Sequence, residues 1–232
     1  MSAGESLFPT LRRRREIGYQ RICRRCRSWC MDHRVTLAVS AIAILAHVVP
    51  NLAAVLQLDF ASAAAGQWWR LLSGHLTHYD SQHLFWDVLM FVVLGAACER
   101  QHPKLFGVSL LVMALGISAT VALVCKDVSG YRGLSGIDTG LFVWFIGDQI
   151  RHCLAGRDRL FAGFWISMAT LLVAKLLYEF VTGAVLFVDA DGFKPLIESH
   201  LAGAVFGGLL VGIGWCLACR RFPSLQRSDS GG

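Results

Sequence analysis

The chain has 232 residues, is 55% hydrophobic and has a mean hydropathy of +0.52, which is too apolar for an ordinary soluble domain. Its formal net charge of +6 does not point to nucleic acid, because the basic residues sort by loop instead of forming one basic face. What the composition leaves is a protein with several membrane spans, and the lack of alternating polar and apolar residues excludes a membrane barrel.

Residues 1–33 are basic and read as a cytoplasmic tail that touches anionic lipid. They do not read as a signal peptide: the first apolar run starts only after Arg34 and is too long for an h-region. Six apolar segments follow, at about 35–55, 82–98, 105–125, 135–152, 160–181 and 199–218. A helix needs about 20 residues to cross the hydrocarbon layer, so the expected fold class is an all-α membrane protein, a six-transmembrane-helix bundle. It is expected to occupy residues 34–219 as one domain, with 220–232 as a short cytoplasmic tail.

The first segment should kink or stop at Pro50-Asn51. Residues 58–81 form a loop whose Trp68, Trp69 and Tyr79 suit the membrane interface. The second segment opens at His83 and closes at Glu99-Arg100, ahead of Pro103. The fourth opens at Ser135, after the polar stretch 126–132. The fifth carries Lys175 and Glu179, spaced i,i+4 so that they pair on one face. The sixth opens at His200.

With the N-terminus inside, 17 of the 22 Lys and Arg fall on the inner side and four on the outer (Arg70, Lys126, Arg132, Lys194); Lys175 lies within a span. This is the positive-inside pattern, and it sets both termini in the cytoplasm. Segments two, four and six then all run from outside to inside. His83, Ser135 and His200 stand at their starts, at comparable depth near the outer face. A hydroxyl beside an imidazole is the minimum for nucleophilic acyl chemistry. A helix N-terminus adds free N–H groups, so the backbone of Ser135 is positioned to hold an oxyanion. Gly136 and Gly140 on the fourth segment, and Gly203 and Gly207 on the sixth, have the G-x-x-x-G spacing that lets two helix backbones approach closely.

These residues resemble a known family. Gly133-Leu134-Ser135-Gly136 with Gly140 is similar to the rhomboid G-x-S-G motif, and His200 with Gly203 and Gly207 to its H-x-x-G-x-x-x-G motif. Trp69-Arg70 resembles the W-R pair of the first loop, and His83 with Asp87 and Glu99-Arg100 resembles the second rhomboid helix. The ordered set spans about residues 66–212. The form His83-Leu84-Phe85-Trp86-Asp87 is most similar to the rhombosortase branch, thought to process proteins with a C-terminal Gly-Gly sorting helix in bacteria. The resemblance implies a six-helix intramembrane serine endopeptidase of the bacterial inner membrane, which cuts transmembrane segments near their outer end. Ser135 would be the nucleophile and His200 the base. His83, with the Gly133–Ser135 turn, would hold the oxyanion, and Trp69 and Arg70 would anchor the loop. No cofactor and no metal are implied; the partners are transmembrane substrates and the bilayer.

Two carboxylates stand out. Asp87 occupies the place where rhomboids usually have asparagine. An ionised carboxylate cannot donate to an oxyanion, so Asp87 is either protonated there or an acceptor that fixes His83. Asp138, one turn below Ser135, is open to three readings: orienting His200 as a third member, structural pairing with another helix, or lining a substrate or water path.

Other functions weigh less. Cys23-x-x-Cys26 and Cys216-x-x-Cys219 have zinc-compatible spacing, but reduced free thiols are the plainer reading on the cytoplasmic side. His33, His47, His75, His78, His102 and His152 read as interfacial or structural. An inactive relative that binds transmembrane segments as a chaperone or retention factor is favoured only by Asp87. A proton-coupled transporter is disfavoured by the lack of an inverted repeat.

Overall fold

The computed structural model describes residues 31–183 and 196–221, with the backbone alone for 218–221. Helix α1 covers Arg34–Val48 and stops where the sequence dictates. Val49, before Pro50, is extended (φ −83°, ψ 120°), as a residue preceding proline prefers, and Asn51 is left-handed at φ 63°. The first apolar segment is therefore broken: a helix of 15 residues, then the single turn α2 (Leu52–Leu56).

The loop that follows is ordered in short pieces. Strand β1 (Leu58–Asp59) pairs antiparallel with β2 (Gly130–Tyr131), Leu58 opposite Tyr131. A side chain at Gly130 would overlap the Leu58 carbonyl, so this pairing needs glycine there. Asp59 caps α3 (Phe60–Ala64) by accepting from Ser62 N at 2.7 Å. Then come α4 (Arg70–Ser73) and a 3₁₀ turn at Gly74–Leu76.

Four further long helices precede or flank the site: α5 (Ser81–Gln101), α6 (Phe106–Val124), α7 (Ser135–Ala155) and α8 (Arg159–Thr182), with α9 (Ile197–Arg221) completing the described chain. Asp80 caps α5 through His83 N (2.8 Å), and Asp158 caps α8 through Phe161 N (3.2 Å). Helix α8 ends at Gly183, left-handed at φ 72°. The start of α1 has no side-chain cap of its own. Glu99, buried on α5, supplies one by accepting from Val35 N (3.0 Å), Thr36 N (2.9 Å) and Thr36 Oγ1 (2.8 Å). A carboxylate at a helix N-terminus satisfies orphan N–H groups and complements the dipole.

The core lies between α5, α6, α7 and α9, built on Phe91, Phe106, Met113, Ile117, Leu134 and Leu141. Large apolar side chains cover the outside, among them Phe164, Leu171, Leu177, Leu209 and Ile213. Among the described residues four helices are long and apolar enough to cross a membrane: α5, α6, α8 and the Ile197–Leu217 part of α9. The molecule is an all-α membrane bundle. Helix α1 is shorter than a span, and α7 carries Asp138, Asp148 and Arg151.

Candidate active site

Ser135 is the first residue of α7, and three contacts fix the turn that delivers it. Gly133 has φ 115°, a conformation that other residues rarely adopt. A Cβ there would also stand 2.9 Å from His83 Nε2 and 3.1 Å from Asp87 Oδ2. Tyr131, buried beside β1, donates its hydroxyl to the Gly133 carbonyl at 2.9 Å, and burial pushes the pKa of that phenol up.

The third contact is Asp87. A single oxygen, Oδ2, accepts from Leu134 N at 2.8 Å and from Ser135 N at 3.1 Å, and lies 3.2 Å from both His78 Nε2 and His83 Nε2. Two backbone N–H groups at the head of α7 and two ring nitrogens, from the first loop and α5, converge on it. Both backbone N–H groups donate to it, as they would to an acceptor. It also engages the Ser135 N–H that the sequence assigns to the oxyanion. His78, expected to be interfacial or structural, belongs to this cluster. Its ring packs edge-on against His83 (5.1 Å between centroids), and Tyr79 stacks on His83 (6.0 Å). Burial pulls the pKa of His78 down, against the pull of Asp87. The signal in the sequence was position alone: His78 lies between Arg70 and His83, just ahead of the Asp80 cap.

His200 lies in the first turn of α9, which crosses α7 in backbone contact. A Cβ on Gly136 would meet the Ser199 carbonyl at 2.9 Å, and one on Gly140 would meet the Gly203 carbonyl at 2.8 Å. In return, side chains at Gly203 and Gly207 would overlap the carbonyls of Gly136 and Gly140. All four glycines thus sit at one seam. Ser135 and His200 each neighbour the Gly136–Ser199 contact at its end. Among the described residues no hydrogen bond joins Ser135 Oγ to the His200 ring; such bonds are often loose before substrate arrives.

His200 does have a carboxylate partner, but it is not Asp138. Its Nδ1 lies 3.1 Å from Glu179 Oε2 on α8, and Glu179 is fully buried. The other oxygen, Oε1, accepts from Lys175 Nζ at 2.6 Å. The i,i+4 pair of the sequence is formed, and it reaches across to the histidine. Both oxygens of Asp138 are buried without a hydrogen-bond partner among the described residues.

Arg70 holds the first loop from within. It is buried, donating from Nη1 to the carbonyls of Ala54 (3.1 Å) and Gln57 (2.7 Å) and from Nε to Gln67 Oε1 (2.6 Å). Trp69 beside it is exposed. His75 pins the loop to α6, its Nε2 2.9 Å from the Ala114 carbonyl and 3.0 Å from Ser118 Oγ. At the other end of the bundle His102 pairs with Asp148 and stacks on Trp144. No group of three or more His, Cys, Asp or Glu among the described residues could hold a metal. Cys23 and Cys26 lie outside the described residues, as does the Cys219 side chain; Cys216 is exposed.

The Rhomboid domain family profile matches residues 65–217, the stretch that runs from the first loop through most of α9. Over 148 residues the chain is 28% identical to "Rhomboid-related protein 2" of Mus musculus, covering 62% of this chain and 47% of the mouse protein. It is 27% identical over 151 residues to "Rhomboid protease GlpG" of Haemophilus influenzae (63% and 67%). A third relative, "Rhomboid protease GluP" of Bacillus subtilis, is 27% identical over 146 residues (62% and 27%). The chain thus spans under half of the mouse relative and about a quarter of the Bacillus one.

Proposed function

The chain belongs to the rhomboid family, and from that premise we propose that it is an intramembrane serine endopeptidase with Ser135 as nucleophile and His200 as base. The observation that carries the reading is the α7–α9 seam: two glycine pairs bring the backbones into contact at the level of both residues, and the far nitrogen of His200 faces a carboxylate. A carboxylate only accepts, which keeps the proton on Nδ1 and leaves the Nε2 lone pair for the hydroxyl.

The Ser135 O–H bond breaks and its proton passes to His200 Nε2. The Oγ electron pair forms a bond to the scissile carbonyl carbon, and the carbonyl π pair moves onto oxygen. The adduct collapses as the C–N bond breaks, and Nε2 returns the proton to the leaving nitrogen. Water then repeats the sequence on the acyl-enzyme. His83 and the Ser135 N–H serve the oxyanion, for which the substrate oxygen competes with Asp87 Oδ2. In this reading Asp87 is an acceptor that holds His83 and the Gly133–Ser135 turn in place.

In its finer form the proposal has six spans, with α1 and α7 completing the bundle of residues 34–219. Both termini face the cytoplasm of a bacterial inner membrane and the catalytic end faces outward. The positive-inside charge pattern supports that orientation. Substrates are transmembrane segments cut near their outer end, and the rhombosortase-like form of α5 favours C-terminal Gly-Gly helices. A second reading, an inactive relative that binds transmembrane segments, is favoured by one observation: Asp87 already engages the Ser135 N–H.

The two readings part on one experiment. The purified protein is incubated with membrane proteins bearing Gly-Gly-type C-terminal helices, and with a serine-reactive phosphonate. Cleavage and labelling at Ser135, both lost in Ser135→Ala and His200→Ala, are expected, because members of a catalytic unit act together. Full cleavage in either variant would sink the dyad. Labelling without cleavage of any transmembrane substrate would favour the binding role.

A further inference from the structure

We propose that Glu179 is a positioning residue of the reaction, the carboxylate that fixes the ring and tautomer of His200, with Lys175 as its counter-ion; the inference rests on the Ser135–His200 reading above.

Three features of the contact separate it from an ordinary helix pair. Glu179 is fully buried on a helix that otherwise presents its surface outward: of the residues of α8 only Ala162, Leu176 and Glu179 are buried. A buried carboxylate is costly unless each oxygen is met, and inside a membrane such a group marks function by default. Lys175, on the same face, meets Oε1 and would balance the charge alone. Oε2 instead reaches a different helix and a titratable ring, at 3.1 Å from His200 Nδ1. Asp138, the other buried carboxylate near the nucleophile, has no hydrogen-bond partner among the described residues, so Glu179 is the acceptor the structure gives to His200.

The chemistry follows from which nitrogen holds the proton. With Nδ1–H donated to Glu179, Nε2 is unprotonated and free to take the Ser135 proton. When it does, the imidazolium forms beside a fixed negative charge. With an amide at 179 the side chain can present its NH₂ to Nδ1. The ring then settles in the other tautomer, with Nε2 protonated and unable to act as base. A carboxylate-to-amide change of this kind costs serine proteases about 10⁴-fold in kcat through the wrong tautomer. Glu179 also ties α8 to the site, so that a helix with few buried contacts is joined to α9 at the level of the reacting groups.

The test uses the full-length protein in detergent or lipid, with ¹⁵N-labelled histidine. The His200 signals are identified by their loss in His200→Ala, and the tautomer is read from the two ring nitrogens. The expected results are an Nδ1–H tautomer in the wild type, an Nε2–H tautomer in Glu179→Gln, and a kcat in Glu179→Gln lower by at least about 100-fold with KM changed little. Glu179→Asp, which keeps the charge on a shorter stem, should recover at least about tenfold of that loss. An Nε2–H tautomer in the wild type would overturn the proposal, and so would wild-type kcat in Glu179→Gln. If Glu179→Gln fails to fold, the wild-type tautomer decides. Failure of the dyad is told apart by Ser135→Ala and His200→Ala: turnover retained there sinks the dyad, whatever the tautomer. Turnover lost there but kept in Glu179→Gln sinks this inference alone.

Discussion

Helices α7 and α8 are consecutive in the chain and close in length, 21 and 24 residues, but they are held in different ways. Nine residues of α7 are buried, and it meets α9 backbone to backbone through glycines. Three residues of α8 are buried, and its tie at the site is a carboxylate. Lipid tails are as apolar as leucine, so apolar area gives little reason for one membrane helix to leave lipid for another. What holds it is close backbone packing or a polar contact. Helix α7 uses the first and α8 the second. The comparison predicts where substitutions will be felt.

The largest effect is expected at the seam. A leucine at Gly203 would have to displace the Gly136 carbonyl, one residue from the nucleophile. Overpacking of this kind typically costs about 1–3 kcal/mol in stability, and a shift of about 1 Å at reacting groups can cost about 100-fold in rate. Gly203→Leu should therefore lose at least that much turnover while Gly208→Leu, which faces open space on the same helix, loses none. Equal turnover in the two variants would break the comparison at its first term.

The next effect is at Asp87, which holds the head of α7 through two N–H groups. Asp87→Leu leaves both unmet and the two histidines without their acceptor; each unsatisfied buried donor costs about 1–3 kcal/mol. Asp87→Asn can still accept through its carbonyl but gives up charge assistance. That is worth about 1–2 kcal/mol, or about 5- to 30-fold in rate. The order wild type, Asn, Leu in both turnover and thermal midpoint is expected. Turnover unchanged in Asp87→Leu would remove the residue from the site.

A third effect is read by pH. His75, outside the spans, ties the first loop to α6, and burial lowers its pKa to about 4. The unfolded chain takes up a proton at this residue near pH 6.5 and the folded one does not. Stability therefore falls as pH drops from about 6.5 towards about 4. A non-titrating His75→Gln should flatten part of that thermal-midpoint profile, the buried His78 supplying the rest; identical slopes would show that His75 does not titrate there.

The sequence was legible wherever one local rule acts. Pro50 ended α1, Glu99-Arg100 lay at the close of α5, and the glycine spacing marked a seam at which α7 and α9 do meet. It was silent where two distant segments choose each other. Glu179 read as half of an i,i+4 pair because its neighbour Lys175 satisfies that rule, and nothing in the spacing announces that its second oxygen faces α9. Asp138 stood nearer Ser135 in sequence, so orienting His200 was among the three readings open for it. His78 looked like one more loop histidine until α5 and the loop were folded against each other.

The smallest effect expected is the sharpest test of how α8 is held. Leu171 is 61% exposed and Leu176 is 7% exposed, five residues apart on that helix. In a bilayer the outward side chain is exchanged for a lipid tail of equal polarity, so Leu171→Ala removes neither packing nor a polar contact. Its thermal midpoint and turnover should match the wild type, within the roughly ±0.5 kcal/mol of ordinary surface changes. Leu176→Ala opens space inside the bundle next to Lys175 and should cost about 2 kcal/mol or more, as buried leucines do. It should also slow turnover by loosening Glu179 three residues on. If Leu171→Ala proved as harmful as Leu176→Ala, the outward face of α8 would be an interface rather than a lipid surface, and the contrast with α7 would be one of partner, not of packing.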